Sequence, residues 1–184
     1  MSHYLDPDKD HAFNGPSFRL PQELEETSEI MHAAGVIIHR FGILLRGPSG
    51  SGKSLLQRKL RQEAQARGKF SALISDDYVR LARPDPQAEG EGAPLLAFAP
   101  VTTRQLQEVR GIGVIELEPS EVVSRAVIHL LVDLVAEHKI ERMPGVAGAE
   151  TLCLGAPVAH LSVPERSVDV ASDLVFALLS TWKR

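Results

Sequence analysis

The spacing of apolar positions changes along the chain, and each change marks an element. "GVIIH" and "GILLR" are short apolar runs meeting around "RFG", which predicts a β-hairpin whose second strand is buried. "KSLLQRKLRQEAQAR" then switches to helical spacing. Leu55, Leu56, Leu60 and Ala64 share one stripe, with Arg58, Lys59, Arg61 and Arg67 facing outward. "KFSALIS" reads as the next strand, and "DDYVRLAR" turns away from it into another. "PLLAFAP" and "GVIELE" are strand-like, while "VTTRQLQEV" reads as a short helix capped by Thr102 or Thr103. In "AVIHLLVDLVAE" the alternation of Ile128, Leu130, Val132 and Leu134 and the β-branched content favour a strand. "TLCLG" and "VAHLSV" pair around "GAP", and "SVDVASDLVFALLSTW" closes as a helix with Ser167 as its N-cap. The sum is an α/β domain around a central mixed sheet.

Outside these elements lie "PDPQAEGEGAP", with the Pro, Gly and charge content of an exposed loop, and residues 1–29. The latter form a polar acidic extension with a helical turn expected at "PQELEETSEI". With 184 residues the chain suits one domain. Its net charge of -4 arises within residues 1–29, which hold seven acidic and two basic side chains, so the rest is close to neutral. No basic field invites nucleic acid, and no apolar run is long enough for a bilayer. The start "MSHYLDPDKD" lacks the basic and apolar segments of a signal peptide, and Cys153 is the only cysteine. A cytoplasmic location is expected, with Cys153 a small buried strand residue.

The chemistry begins at Gly47, Pro48, Ser49, Gly50, Ser51, Gly52, Lys53 and Ser54. They fit the G-x-x-x-x-G-K-[ST] phosphate loop between a predicted strand and a predicted helix. Such a loop turns successive N–H groups and a helix N-terminus toward phosphate oxygens. Lys53 would reach the β- and γ-phosphates of ATP, and the Ser54 hydroxyl would ligate Mg2+. "ALISDDYV" puts Asp76 and Asp77 where an apolar strand ends. Two adjacent carboxylates there can divide the work, one addressing the metal and one taking a proton from a nucleophile. Glu108 precedes Arg110 and the glycines Gly111 and Gly113, which would let the backbone pass close to a ligand or another strand.

The order "HAAGVIIHRFGILLRGPSGSGKS", "SDDYVRL", "LQEVRGIGVIE", "ERMP" resembles HPr kinase/phosphorylase, especially a short form without the usual N-terminal domain. The similarity runs from about Ile30 to Leu179, making residues 30–184 the catalytic domain. It implies a single P-loop domain with a phosphoenolpyruvate-carboxykinase-like nucleotide-binding fold, and a cytoplasmic homo-hexamer. The implied activity is ATP- and Mg2+-dependent phosphorylation of a serine on the phosphocarrier protein HPr. The implied reverse reaction uses inorganic phosphate to release pyrophosphate, and together the two regulate carbohydrate metabolism and the phosphotransferase system. By the same resemblance Asp76 is the general base, Asp77 supports the metal, and Glu108 is a further Mg2+ partner. His32 neighbours the transferred phosphate, and Arg142 contacts phosphate.

The chain departs from the family pattern at Leu55, where an acidic residue is usual. It departs again in "SVPERSV", where Arg166 remains but Val163 and Glu165 replace an arginine and a glycine. These departures bear on phosphorolysis more than on kinase chemistry. They also motivate the alternative of a nucleotide-binding regulatory module without transfer chemistry.

Overall fold

The structure is a computed structural model that describes residues 28–84, 94–140 and 150–182. Its strands are β1 (Glu29–His32), β2 (Ala34–Ile38), β3 (Phe41–Arg46), β4 (Ser71–Ser75), β5 (Tyr78–Ala82), β6 (Leu96–Phe98), β7 (Leu106–Val109), β8 (Gly113–Glu116), β9 (Arg125–Val135), β10 (Glu150–Cys153) and β11 (Ala156–Pro164). The helices are α1 (Lys53–Ala66) and α2 (Val168–Thr181). No helix among the described residues is long and apolar enough to cross a membrane.

A mixed sheet runs in the order β1-β5-β6-β9-β3-β2-β4, with β11 added beside β9 and β10 beside β11. Strands β3, β9 and β11 are mutually parallel, and the other pairings are antiparallel. The eleven-residue β9 joins the two halves, pairing with β6 at its start and with β11 at its end. Alternation along these strands divides the core in two. Ile43, Leu45, Leu130, Val132 and Val163 face α1 and α2. Leu44, Leu131, Cys153 and Val158 face the opposite way, against Val79, Leu81 and Ala97. Because β2 reverses between β3 and β4, the ends of β3, β4, β9 and β11 all arrive at one edge of the sheet, where ligands bind in sheets of this kind.

Most expected elements are present, including the hairpin β2–β3, the strand β9 and the hairpin β10–β11, which turns at Leu154–Gly155. Four expectations change. "VTTRQLQEV" is not a helix: residues 101–105 turn, and β7 pairs with β8 in a separate two-stranded sheet. Its alternating burial, with Gln107 and Val109 inward, was hidden because one inward residue is polar. On α1, Leu55 is 53% exposed while Arg61 and Gln57 are buried, so the buried stripe lies one position round from the one expected. Gly111 and Gly113 serve the β7–β8 turn with positive φ, and a side chain there would meet open space rather than a ligand or strand. Finally, Glu29 and Ile30 are in β1, paired with β5, while the rest of "PQELEETSEI" up to residue 27 lies outside the described residues. Residues 85–93 of the exposed loop also lie outside them. Ser167 is the N-cap residue of α2, without a side-chain capping bond.

Candidate active site

Residues 47–52 leave β3 and curl directly into α1. Gly52 is the N-cap of α1 at φ 103, in a left-handed conformation that disfavours other residues. The helix has no side-chain cap and no acidic residue in its first turn, so its first N–H groups and its positive end are left for an anion. Lys53 is almost buried and folds back over the loop, with Nζ donating to the carbonyl oxygens of Gly47 at 2.9 Å and Pro48 at 3.2 Å. Burial lowers its pKa, opposed by the charge of Asp77. The segment after β11 closes the loop from the side. Arg166 N–H donates to the Ser51 carbonyl at 2.8 Å, and Glu165 N–H to that of Val135 at 2.8 Å. Arg166 holds a left-handed φ of 61 with its side chain exposed. The Val163 side chain points into the helix-side core and away from this edge.

The paired aspartates diverge. Asp76 is buried, and its Oδ2 accepts the Glu108 N–H at 2.9 Å, while Oδ1 has no hydrogen-bond partner among the described residues. Burial raises its pKa, against the Glu108 N–H and the nearby Ser54 hydroxyl and Gln107 amide, which favour the charge. Asp77 is exposed, and its Oδ1 lies 2.7 Å from His32 Nε2. The β1–β5 register, which sets His32 opposite Tyr78, brings His32 to that position. Asp76 thus meets Ser54 and the Glu108 backbone N–H, and Asp77 meets His32, beside the first turn of α1. Arg142 lies outside the described residues.

No group of three or more His, Cys, Asp or Glu side chains forms a preassembled metal cage among the described residues. That still suits Mg2+, a hard cation that commonly binds through one or two carboxylates together with substrate phosphates and waters. The Ser54 hydroxyl in the first turn of α1 and the exposed carboxylate of Asp77, close enough to act on Lys53, supply oxygen donors of the right chemistry.

A second polar cluster occupies the same edge and was not singled out in the sequence. Arg46 donates to both Asp133 carboxylate oxygens at 2.7 Å, and His160 Nε2 lies 2.9 Å from Asp133 Oδ2. Arg46, Asp133 and His160 come from β3, β9 and β11, and the register sets Arg46 directly opposite Asp133. Polar residues set far apart in the chain on three different strands give no sequence sign that they meet. Burial alone would raise the Asp133 pKa, but the bonds from Arg46 and His160 outweigh it and hold the carboxyl below its ordinary value. A depressed carboxylate stabilises the fold above its unfolded pKa and stops doing so as pH falls through its folded value. Asp133→Asn should therefore cost roughly 1–2 kcal/mol at neutral pH. The gap to wild type should close in acid, as read by urea unfolding across pH. An equal gap at all pH values would rule this account out.

The described residues form a mixed α/β domain in which a glycine-rich strand–loop–helix turn lies beside an acidic strand end. Residues 23–182 match the family described as HPr Serine kinase C-terminal domain, and the chain belongs to that family. It is 28% identical over 183 residues to a Stenotrophomonas maltophilia protein named HPr kinase/phosphorylase, covering 92% of this chain and 54% of that protein. A Neisseria meningitidis protein of the same name is 31% identical over 113 residues, 59% of this chain and 31% of its own length. The chain thus spans about a third to a half of the length of these relatives. The solved structure of the Hpr(Ser) kinase/phosphatase from Coxiella burnetii superposes with a TM-score of 0.64 at 23% identity, covering 83% of this chain and 88% of that one. That likeness shows a shared mixed α/β fold.

Proposed function

We propose that the chain transfers the γ-phosphoryl group of ATP to a serine hydroxyl of the phosphocarrier protein HPr. The observation that carries this reading is the buried Asp76, beside the first turn of a phosphate-loop helix. One of its oxygens accepts the Glu108 N–H, and the other has no hydrogen-bond partner among the described residues. The loop amides and Lys53 would hold the nucleotide phosphates, with Lys53 exchanging its carbonyl partners for phosphate oxygens. Ser54, Asp77 and Glu108 would hold Mg2+, which neutralises phosphate charge when bound. Asp76 takes the proton from the seryl hydroxyl as the Oγ–P bond forms. The bond from the γ-phosphorus to the bridging oxygen breaks, and its electron pair leaves with ADP. His32, paired with Asp77, is placed to hold the exposed carboxylate in one orientation.

The forward direction is better supported than phosphorolysis. Val163 faces the core and brings no charge to the edge, and Arg166 is the basic side chain that the segment after β11 leaves there. Purified protein given γ-labelled ATP, Mg2+ and HPr should label the carrier. The same protein given seryl-phosphorylated HPr and inorganic phosphate should release pyrophosphate more slowly. Nucleotide binding with no label on HPr would replace this reading by the regulatory module.

A further inference from the structure

Two uncharged amides sit in the core behind the candidate base. Gln57 on α1 has no exposed surface, and Gln107 on β7 has 2%. A buried amide is costly unless its donors and acceptors are matched, so its partners show what it holds. Gln107 Nε2 donates to Gln57 Oε1 at 2.5 Å. Gln57 Nε2 in turn points at the carbonyl oxygens of Gly35 and Ser75, at 3.4 and 3.5 Å. Arg61 Nη1 reaches Gln107 Oε1 at 3.5 Å, and its Nη2 pairs with Glu121 at 3.3 Å.

The positions along the chain give this pair its meaning. Ser75 immediately precedes Asp76, and Gln107 immediately precedes Glu108. One amide pair therefore ties down both strands, a single residue from the bond between the Glu108 N–H and the Asp76 carboxylate. Strand β7 needs such a tie, because it pairs with β8 and not with the large sheet. Its hairpin is otherwise seated on the small apolar cluster of Leu73, Leu117 and Val122 with Ile115. Apolar contacts fix burial but tolerate sliding, whereas matched amides fix a register.

We propose that Gln57 and Gln107 are positioning residues for Asp76, locking the Glu108 N–H onto one carboxylate oxygen so that the other meets the acceptor hydroxyl in a single orientation. The inference rests on reading Asp76 as the proton acceptor. The charged and polar groups facing Asp76 are Asp77 beside it, Ser54 and Arg61 from α1, and Glu108 and Gln107 from β7. Asp77 in turn faces Lys53 at the start of α1, and Glu121 partly neutralises Arg61.

The test compares the full chain with Gln107→Leu and with the double variant Gln57→Leu/Gln107→Leu, in which both amides are replaced so that neither is left unmatched. Transfer to HPr should fall in kcat by roughly ten- to a hundredfold, with the KM for ATP unchanged. Amide NMR provides a readout that needs no activity. The Glu108 N–H should exchange slowly with solvent in the wild type, because the Asp76 carboxylate accepts it. In the folded double variant that protection should fall roughly tenfold or more while the amides of α1 and β9 keep theirs. A folded double variant with unchanged kcat, or with the Glu108 amide still protected, overturns the proposal. Failure of the base reading would look different: the Glu108 amide would lose its protection in the double variant while Asp76→Asn kept its transfer activity.

Discussion

Asp76→Asn should abolish transfer to HPr while making the protein harder to unfold at pH 8. The first effect follows from the proposed chemistry. General-base assistance contributes about 10²–10⁴-fold to rate, and asparagine cannot accept the seryl proton. ATP affinity should stay near wild type, because the loop amides, Lys53 and the helix end are untouched. The second effect follows from burial, which raises the Asp76 pKa in the folded state. A group with a raised folded pKa penalises the fold once pH exceeds its unfolded value, and the penalty is complete above the folded value. Below the unfolded value there is none. The neutral variant should therefore melt higher than wild type at pH 8, with the difference shrinking to nothing in acid. Transfer assays and thermal melts at a series of pH values read both effects. Wild-type transfer would remove Asp76 from the proton step, and a variant that melts lower at pH 8 would contradict the burial argument.

Gly42→Ala should destabilise the protein more than the same change at any other glycine among the described residues. A Cβ at Gly42 would overlap the Val127 carbonyl oxygen on the neighbouring strand β9, and backbone cannot swing aside as a side chain can. The pairing of β3 with β9 is irregular at this point, and the Gly42 N–H leaves the ladder to donate to His129 Nδ1 at 3.1 Å. Burial lowers the His129 pKa, which keeps the ring neutral and Nδ1 free to accept. Phe41 stacks edge-on with both His129 and Trp182, which ties the ring beside the irregularity to α2's end. Parting β3 from β9 would also disturb the Arg46–Asp133 pair and the start of the phosphate loop. The expected cost is about 3–4 kcal/mol, or about 10 °C in Tm for a chain of this size. Circular-dichroism melts would show it. A change within about 2 °C would mean the strands can part more easily than their packing implies.

How much of the fold and the site is legible in the sequence depends on how far each feature reaches along the chain. The glycine-rich loop, the hairpin β2–β3, the strand β9 and the paired aspartates at the end of β4 are local patterns. A glycine at a cap, an alternation of period two or a carboxylate at a strand end acts on its immediate neighbours, so its sequence carries its meaning. The β7 segment escapes such a reading because its inward residue is a glutamine whose partner lies 50 positions away. Helical propensity then outweighs an alternation that the glycine-bearing turn at Gly111–Gly113 could have exposed. Arg61 is misplaced for the same reason: its charge suggests solvent, while Gln107 and Glu121 hold it inside.

By itself the sequence determined most of the elements, the glycine-rich turn between β3 and α1 and the family to which the chain belongs, because these rest on contacts between residues close in the chain or on a motif whose geometry is self-contained. Only the tertiary structure decided that Asp76 is buried and bonded to the Glu108 N–H while Asp77 faces outward to His32. The same holds for the joining of Arg46, Asp133 and His160 across three parallel strands, and for the tie that Gln57 and Gln107 make behind the candidate base. Those outcomes are set by strand order and register, which bring together groups whose separation in sequence gives no sign of their contact.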